Sequence, residues 1–195
     1  MVNCDPETYP VKLPSLKGFG AAIGVHPKKC QHLAPAKFQM VLDYLKSWDV
    51  FAVGETGLER TEPEKLLKLQ EETLVKLLNF SMPVRPVFLH MREGADQHVG
   101  EVSAKCLQLM KANAAPTQKI HLHFGGTVEQ VVGWLDAYPN CYFGFSAWVT
   151  SFDKYQIAAL QRVPANRLLL ETDAPYFKQA AARASTLHFL EILGR

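Results

Sequence analysis

What this sequence lacks narrows it first. No apolar run approaches the roughly 18 residues that a membrane-spanning helix needs. The opening residues, Met1-Val2-Asn3-Cys4-Asp5-Pro6, carry neither a basic start nor an apolar core, so no secretory signal is expected. The cysteines Cys4, Cys30, Cys106 and Cys141 lie far apart and form no CxxC pair. They read as reduced thiols, which places the chain in the cytoplasm or nucleus. A large charge of one sign is also missing. A formal net charge of +2 exerts little general pull on a polyanion, so any nucleic-acid contact must come from a local patch. No Pro/Ser-rich linker, close repeat or low-complexity tract interrupts the 195 residues, so one domain over 1–195 is expected. With 48% hydrophobic and 21% charged residues, the composition excludes a disordered or fibrous chain.

What is present is an alternation. Short apolar, β-branched runs are predicted as strands: Gly20 to Val25, Val50 to Gly54, Arg85 to His90, Lys119 to His123, Cys141 to Phe145 and Arg167 to Glu171. Amphipathic stretches between them are predicted as helices: Ala36 to Ser47, Pro63 to Phe80, Asp96 to Ala112, Val128 to Ala137 and Phe152 to Arg162. The clearest is Pro63 to Phe80, where Leu66, Leu67, Leu69, Leu74, Leu77 and Leu78 recur at near-helical spacing. Strand–helix alternation implies βαβ units and a parallel sheet. About six units suit either an open doubly wound sheet or a barrel missing about two of its eight. Strand pattern alone does not choose between them.

Buried parallel strands should be nearly all apolar, yet several of these end in an ionisable residue. Val53-Gly54 runs into Glu55, Val87-Phe88-Leu89 into His90, and Ile120-His121-Leu122 into His123. Leu168-Leu169-Leu170 runs into Glu171-Thr172-Asp173. The C-terminal ends of parallel strands open on one face, and that face carries the site. Glu, His, His and Asp would therefore meet at one mouth. Such residues ligate Zn²⁺, Mn²⁺ or Mg²⁺, and a carboxylate bridging two cations suits phosphodiester cleavage. Singly, each has a plainer reading, as a hydrogen-bonded strand-end histidine, a helix-entry carboxylate or a turn-capping aspartate.

Five stretches carry a resemblance. They are Ile23-Gly24-Val25-His26-Pro27, Val53-Gly54-Glu55-Thr56-Gly57-Leu58-Glu59, Pro86-Val87-Phe88-Leu89-His90-Met91-Arg92, His123-Phe124-Gly125-Gly126 and Leu169-Leu170-Glu171-Thr172-Asp173-Ala174-Pro175-Tyr176. In that order, from about Gly18 to Tyr176, the chain resembles the TatD family of metal-dependent deoxyribonucleases, an amidohydrolase-like group of TIM barrels. The resemblance implies an α/β fold, here an incomplete TIM barrel of about six βα units with mostly parallel strands. It implies that Glu55 bridges two metals, that His90 and His123 bind one of them, and that Asp173 contacts the other and handles the proton of the attacking water. His26 would line the cleft near the phosphate, and Arg92 would hold a phosphate or brace the loop. The implied partner is DNA, single-stranded or at 3′ ends, with no membrane.

The departures shape the expectation. The family's first strand carries a His-x-His pair, and none precedes His26 here. The one such pair is His121-x-His123, in the later strand, with His123 the better ligand match and His121 the fallback. Glu59 stands where the family has an aspartate. His-Phe-Gly-Gly is one residue shorter than the usual motif, and after Tyr176 the chain diverges into Phe177 to Arg195, expected as a helix. The first two strands of the family are thus expected to be absent. One metal would be held firmly, by Glu55, His90 and His123. The other, on Glu55 and Asp173 with water, suits Mg²⁺ better than Zn²⁺. The expected function is a metal-dependent phosphodiesterase of reduced activity. Its alternatives are an amide- or lactone-cleaving hydrolase on the same barrel and a non-catalytic metal-binding remnant. Trp148, Lys154, Tyr176 and Lys178 are candidate contacts for bases or phosphates near the mouth.

Overall fold

The structure is a computed structural model that describes residues 1–10, 20–80, 84–94, 100–173, 190–192 and 194. Seven strands form one sheet: β1 (Val2–Asn3), β2 (Ala21–Ile23), β3 (Val50–Glu59), β4 (Val87–Arg92), β5 (Ile120–His123), β6 (Cys141–Phe145) and β7 (Leu168–Leu170). Every neighbouring pair is parallel, and spatial order equals chain order. That order excludes a doubly wound sheet, in which strand order reverses. With the right-handed crossovers such connections take, all helices fall on one face and the other face curls inward. The result is an open half-barrel. The six expected strands are all present. The seventh, β1, pairs with β2 where the reading expected no strand, because two residues carry no periodicity.

Among the described residues, five α-helices cover the outer face: α1 (Pro35–Tyr44), α2 (Leu67–Phe80), α3 (Glu101–Asn113), α4 (Val128–Ala137) and α5 (Lys154–Arg162). Their starts are chemically marked. Pro35 opens α1, while Thr127 with Gln130 and Asp153 with Gln156 form capping boxes on α4 and α5. The Glu93 carboxylate accepts the N–H groups of Val102 (3.0 Å) and Ser103 (3.3 Å), satisfying the first turn of α3 from outside the helix. Between sheet and helices, one cluster joins Leu89, Leu122 and Phe143 to Met110 and Trp134. A second joins Ile23, Val25 and Val53 to Val41 and Leu45. The helix α2 feeds both, through Leu74 and Leu77. The first turn expected at Asp96, the contacts expected of Tyr176 and Lys178, and most of the terminal helix lie outside the described residues.

Candidate metal centre and cleft

Strand register assembles the site. Gly57, His90, His123 and Gly144 lie side by side across β3, β4, β5 and β6. Because side chains alternate along a strand, His121 and His123 share one face of β5, while Ile120 and Leu122 fill the core behind it. A register shift in β3 between Val53 and Thr56 inserts the segment that carries Glu55. The strand ends enclose a cleft of about 360 Å³ lined by His26, Glu55, Glu59, His90, Arg92, His123 and Asp173, among others. His26, Glu55, His90, Arg92, His123 and Asp173 thus reach one cavity, whereas His121, the fallback ligand, does not line it.

The two histidines are each held by a carboxylate. His90 Nε2 meets Glu59 Oε2 at 2.9 Å, and His90 Nδ1 faces Glu55 Oε1 at 2.9 Å. His123 Nδ1 bonds Glu171 Oε2 at 2.5 Å, which leaves its Nε2 as the ring atom for a ligand. The rings stack, with centroids 6.3 Å apart. His123, with one nitrogen on a carboxylate and the other left over, has the arrangement that metal-binding histidines adopt, whereas both nitrogens of His90 meet carboxylates. The ligating atoms of His26, Glu55 and His90 lie within 4.8 Å of one another. This set, His26 with Glu55 and His90, fits a divalent cation; among the described residues His123, expected as a ligand, is not within the same group.

Glu59 is fully buried and locked from several sides. Its backbone N–H donates to Gln70 Oε1 (2.8 Å), and Gln70 Nε2 returns a bond to its carbonyl (3.2 Å). The extra methylene relative to the family's aspartate is accommodated, since the carboxylate still reaches His90 and also accepts from Thr61. Glu171 was singled out only as part of the strand-end run before Asp173. It sits between His123 and His121, whose Nε2 makes a close ion-pair contact with Glu171 Oε1. A Cβ at Gly144 would fall 1.7 Å from Glu171 Oε1 and 2.2 Å from His121 Nε2, so only glycine makes room for this pair. Gly57 is required for a second reason: its φ is +149° and a Cβ would strike the His90 carbonyl. A His-x-His followed some fifty residues later by Glu-x-Asp is a signal that could have paired Glu171 with His121.

Electrostatics follow from these contacts. Burial works against charge on Glu59, but hydrogen bonds from His90 and Thr61 outweigh it and hold the carboxyl at about 2. Glu171 is likewise held at about 2 by His121 and His123 against its burial. Burial disfavours charge on His123, yet Glu171 overrides it and raises the imidazole to about 9. His26 behaves oppositely. Burial, then the neighbouring His90, pushes it down to about 4, so the ring is neutral. Its Nδ1 accepts the Lys28 N–H at 3.2 Å, which leaves Nε2 as a donor. In that tautomer Nε2 serves a phosphoryl oxygen, and it would first give up its proton to ligate a cation.

Asp173 adopts φ 47°, a left-handed conformation that aspartate tolerates better than most residues. Its carboxyl is raised by burial and by the charges of Glu55 and Glu171, with His123 opposing. Cys4, just after β1, also lines the cleft, and the sequence offered no sign of it. Burial, then the charge of Glu55, pushes its thiol up to about 12, so it stays protonated. Of the expected peripheral contacts, Trp148 lines the cleft. Lys154 lies over the Tyr155 ring instead and is not among the lining residues.

The family model described as TatD related DNase matches residues 11–190. The chain is 30% identical over 166 residues to the human 3'-5' RNA nuclease TATDN2, covering 80% of this chain and 20% of that protein. It is 29% identical over 186 residues to the 3'-5' ssDNA/RNA exonuclease TatD of Citrobacter koseri, covering 88% and 66%. The chain thus spans less than two thirds of the length of these relatives. Among solved structures, a TatD homologue of Escherichia coli k12 matches with a TM-score of 0.68 at 24% identity, over 89% of this chain and 68% of that one. A Saccharomyces cerevisiae protein described as an uncharacterized amidohydrolase matches with a TM-score of 0.63 at 21% identity, over 88% and 61%. The last two likenesses establish the fold.

Proposed function

The chain belongs to the family of TatD related DNases, and we propose that it is a metal-dependent phosphodiesterase acting on single-stranded nucleic acid, DNA or RNA, from 3′ ends. The observation that carries this reading is the pair of carboxylate-clamped histidines, His90 on Glu59 and His123 on Glu171, flanking Glu55 in one cleft with Asp173. Glu55, His90 and His123 would hold one Mg²⁺, Mn²⁺ or Zn²⁺ ion. Glu55 and Asp173 would hold a second, with water completing its shell, a set that favours Mg²⁺. A bound cation supplies Lewis acidity toward the phosphoryl group and acidifies water.

The chain's own residues do the rest. His26 Nε2 donates to a non-bridging phosphoryl oxygen and stays neutral while doing so. Arg92 places a cation at the rim. A carboxylate oxygen of Asp173 takes the proton of the attacking water, and its raised pKa brings it closer to a working base. Glu59 and Glu171 hold the imidazoles in one orientation throughout. All four cysteines are free, which fits the cytoplasm or nucleus.

The test is cleavage of single-stranded DNA and RNA oligonucleotides by the purified 195-residue chain with Mg²⁺, Mn²⁺ or EDTA, beside Glu55→Ala. Cleavage that needs a divalent ion and vanishes in the variant supports the reading. A folded chain that binds the ion and cleaves nothing overturns it in favour of a metal-binding remnant.

A further inference from the structure

The cleft has two unlike walls. One is the ionisable set described above. The other is apolar, built from Met91, Phe124, Trp148 and Phe152, and phosphoryl chemistry makes no use of it. Trp134 is fully buried, but Trp148 keeps 42% of its surface exposed at the mouth. The Arg92 guanidinium lies 4.8 Å from the centre of the Trp148 ring. Arg92 Nε is also 3.9 Å from Glu59 Oε1, and Glu59 bonds His90. Only two side chains, Arg92 and Glu59, separate the exposed indole from a candidate metal ligand. Arg92 Nε is buried without a hydrogen bond among the described residues, near the Glu59 carboxylate, and the guanidinium rests on the ring.

A donor completes this wall. Gln130 Oε1 accepts the Thr127 N–H at 3.3 Å within the α4 capping box, which fixes which way the amide faces. Its Nε2 is buried and has no hydrogen-bond partner among the described residues, and Gln130 lines both this cleft and a groove beside Trp134. Buried donors are nearly always satisfied, so one left over in a cleft wall calls for an external acceptor. Gly126 lets the amide tuck in, because a Cβ there would meet Gln130 Oε1.

We propose that the apolar wall is a nucleobase slot. Resting on the phosphodiesterase reading, the inference is that the terminal base of the strand stacks on Trp148, steadied by Arg92, while Gln130 Nε2 donates to an acceptor on the base edge. Stacking on an aromatic face tolerates every base. A base still paired in a duplex cannot offer its face, so the slot selects single-stranded ends.

The test compares two oligonucleotides that differ in one feature, a natural 3′-terminal nucleotide or an abasic tetrahydrofuran residue there. Wild type should prefer the natural end by about tenfold in kcat/KM. Trp148→Ala should erase most of that preference, chiefly through KM, and Trp148→Phe should restore it. Anisotropy of the two labelled oligonucleotides in EDTA reads the same preference without catalysis, using wild type alone. Equal affinity for both ends, or equal losses on both in Trp148→Ala, overturns the slot. If wild type cleaves neither yet binds the natural end more tightly, the slot stands and the nuclease reading falls. Unfolding midpoints of the variants check that the effects are local.

Discussion

The two ends of the strands bury polar side chains in opposite ways. At the N-terminal end, Arg85 donates to the carbonyls of Leu45 and Ser47, and Gln118 Nε2 donates to those of Arg85 and Lys119. The partners there are backbone atoms fixed by the fold. At the C-terminal end, Glu55, Glu59, His90, His123 and Glu171 satisfy one another. Such side-chain pairs can exchange a proton for a cation without the chain unfolding. The difference assigns stability to one rim and chemistry to the other, as barrels of parallel strands generally do.

The sharpest way to test this division is at the active rim. Asp173→Asn should lower kcat by about 10²–10⁴-fold, the usual contribution of a general base, with divalent-ion affinity at the Glu55–His90–His123 side nearly unchanged in calorimetric titration. At the opposite rim, Arg85→Met should cost about 2–3 kcal/mol in urea unfolding, because the buried Leu45 carbonyl and the half-buried Ser47 carbonyl lose charged donors. Its ion affinity should match wild type, and a large loss would mean the two rims are coupled. Glu171→Gln should weaken ion binding by about 10–100-fold and also lower the unfolding midpoint of the metal-free protein, because the pair with His123 is lost. His121→Leu acts through Glu171, so its effect should be smaller and not add to that of Glu171→Gln.

The smallest effect is the dependence on pH. His123 is raised from 6.5 to about 9, so the stability it adds to the metal-free protein is complete below pH 6.5 and is lost as pH rises through about 9. Over the same window ion affinity should rise, because the cation no longer competes with a proton. Denaturation and titration series from pH 6 to 9.5 should show opposite slopes. Parallel slopes would mean that His123 does not ligate.

Much of this was legible in the residues. The strand over 141–145 and the helix over 128–137 appear with their expected bounds, since apolar periodicity and flanking turn residues agree there. The strand from Val50 was expected to stop at Gly54 but runs to Glu59. Gly54 and Gly57 both sit inside the strand, where the backbone of β4 approaches too closely for a Cβ. The helix expected from Pro63 begins as a 3-10 turn over Glu64–Leu66. Among candidate site residues, Glu55, His90, His123 and Asp173 were visible because they end successive apolar strands together, although each alone has a plainer reading.

By itself the sequence determined the alternation of strands and helices, the polar strand ends and hence the kind of chemistry, because these depend on local spacing and side-chain type. Only the tertiary structure decided that the sheet curls with sequential strand order, that His123 rather than His121 faces the cleft, and that Glu171 joins the two. The Glu171–His123 bond spans 48 residues of chain. Partners so far apart meet through the register and curvature of intervening strands, and no local pattern of side chains encodes that distance.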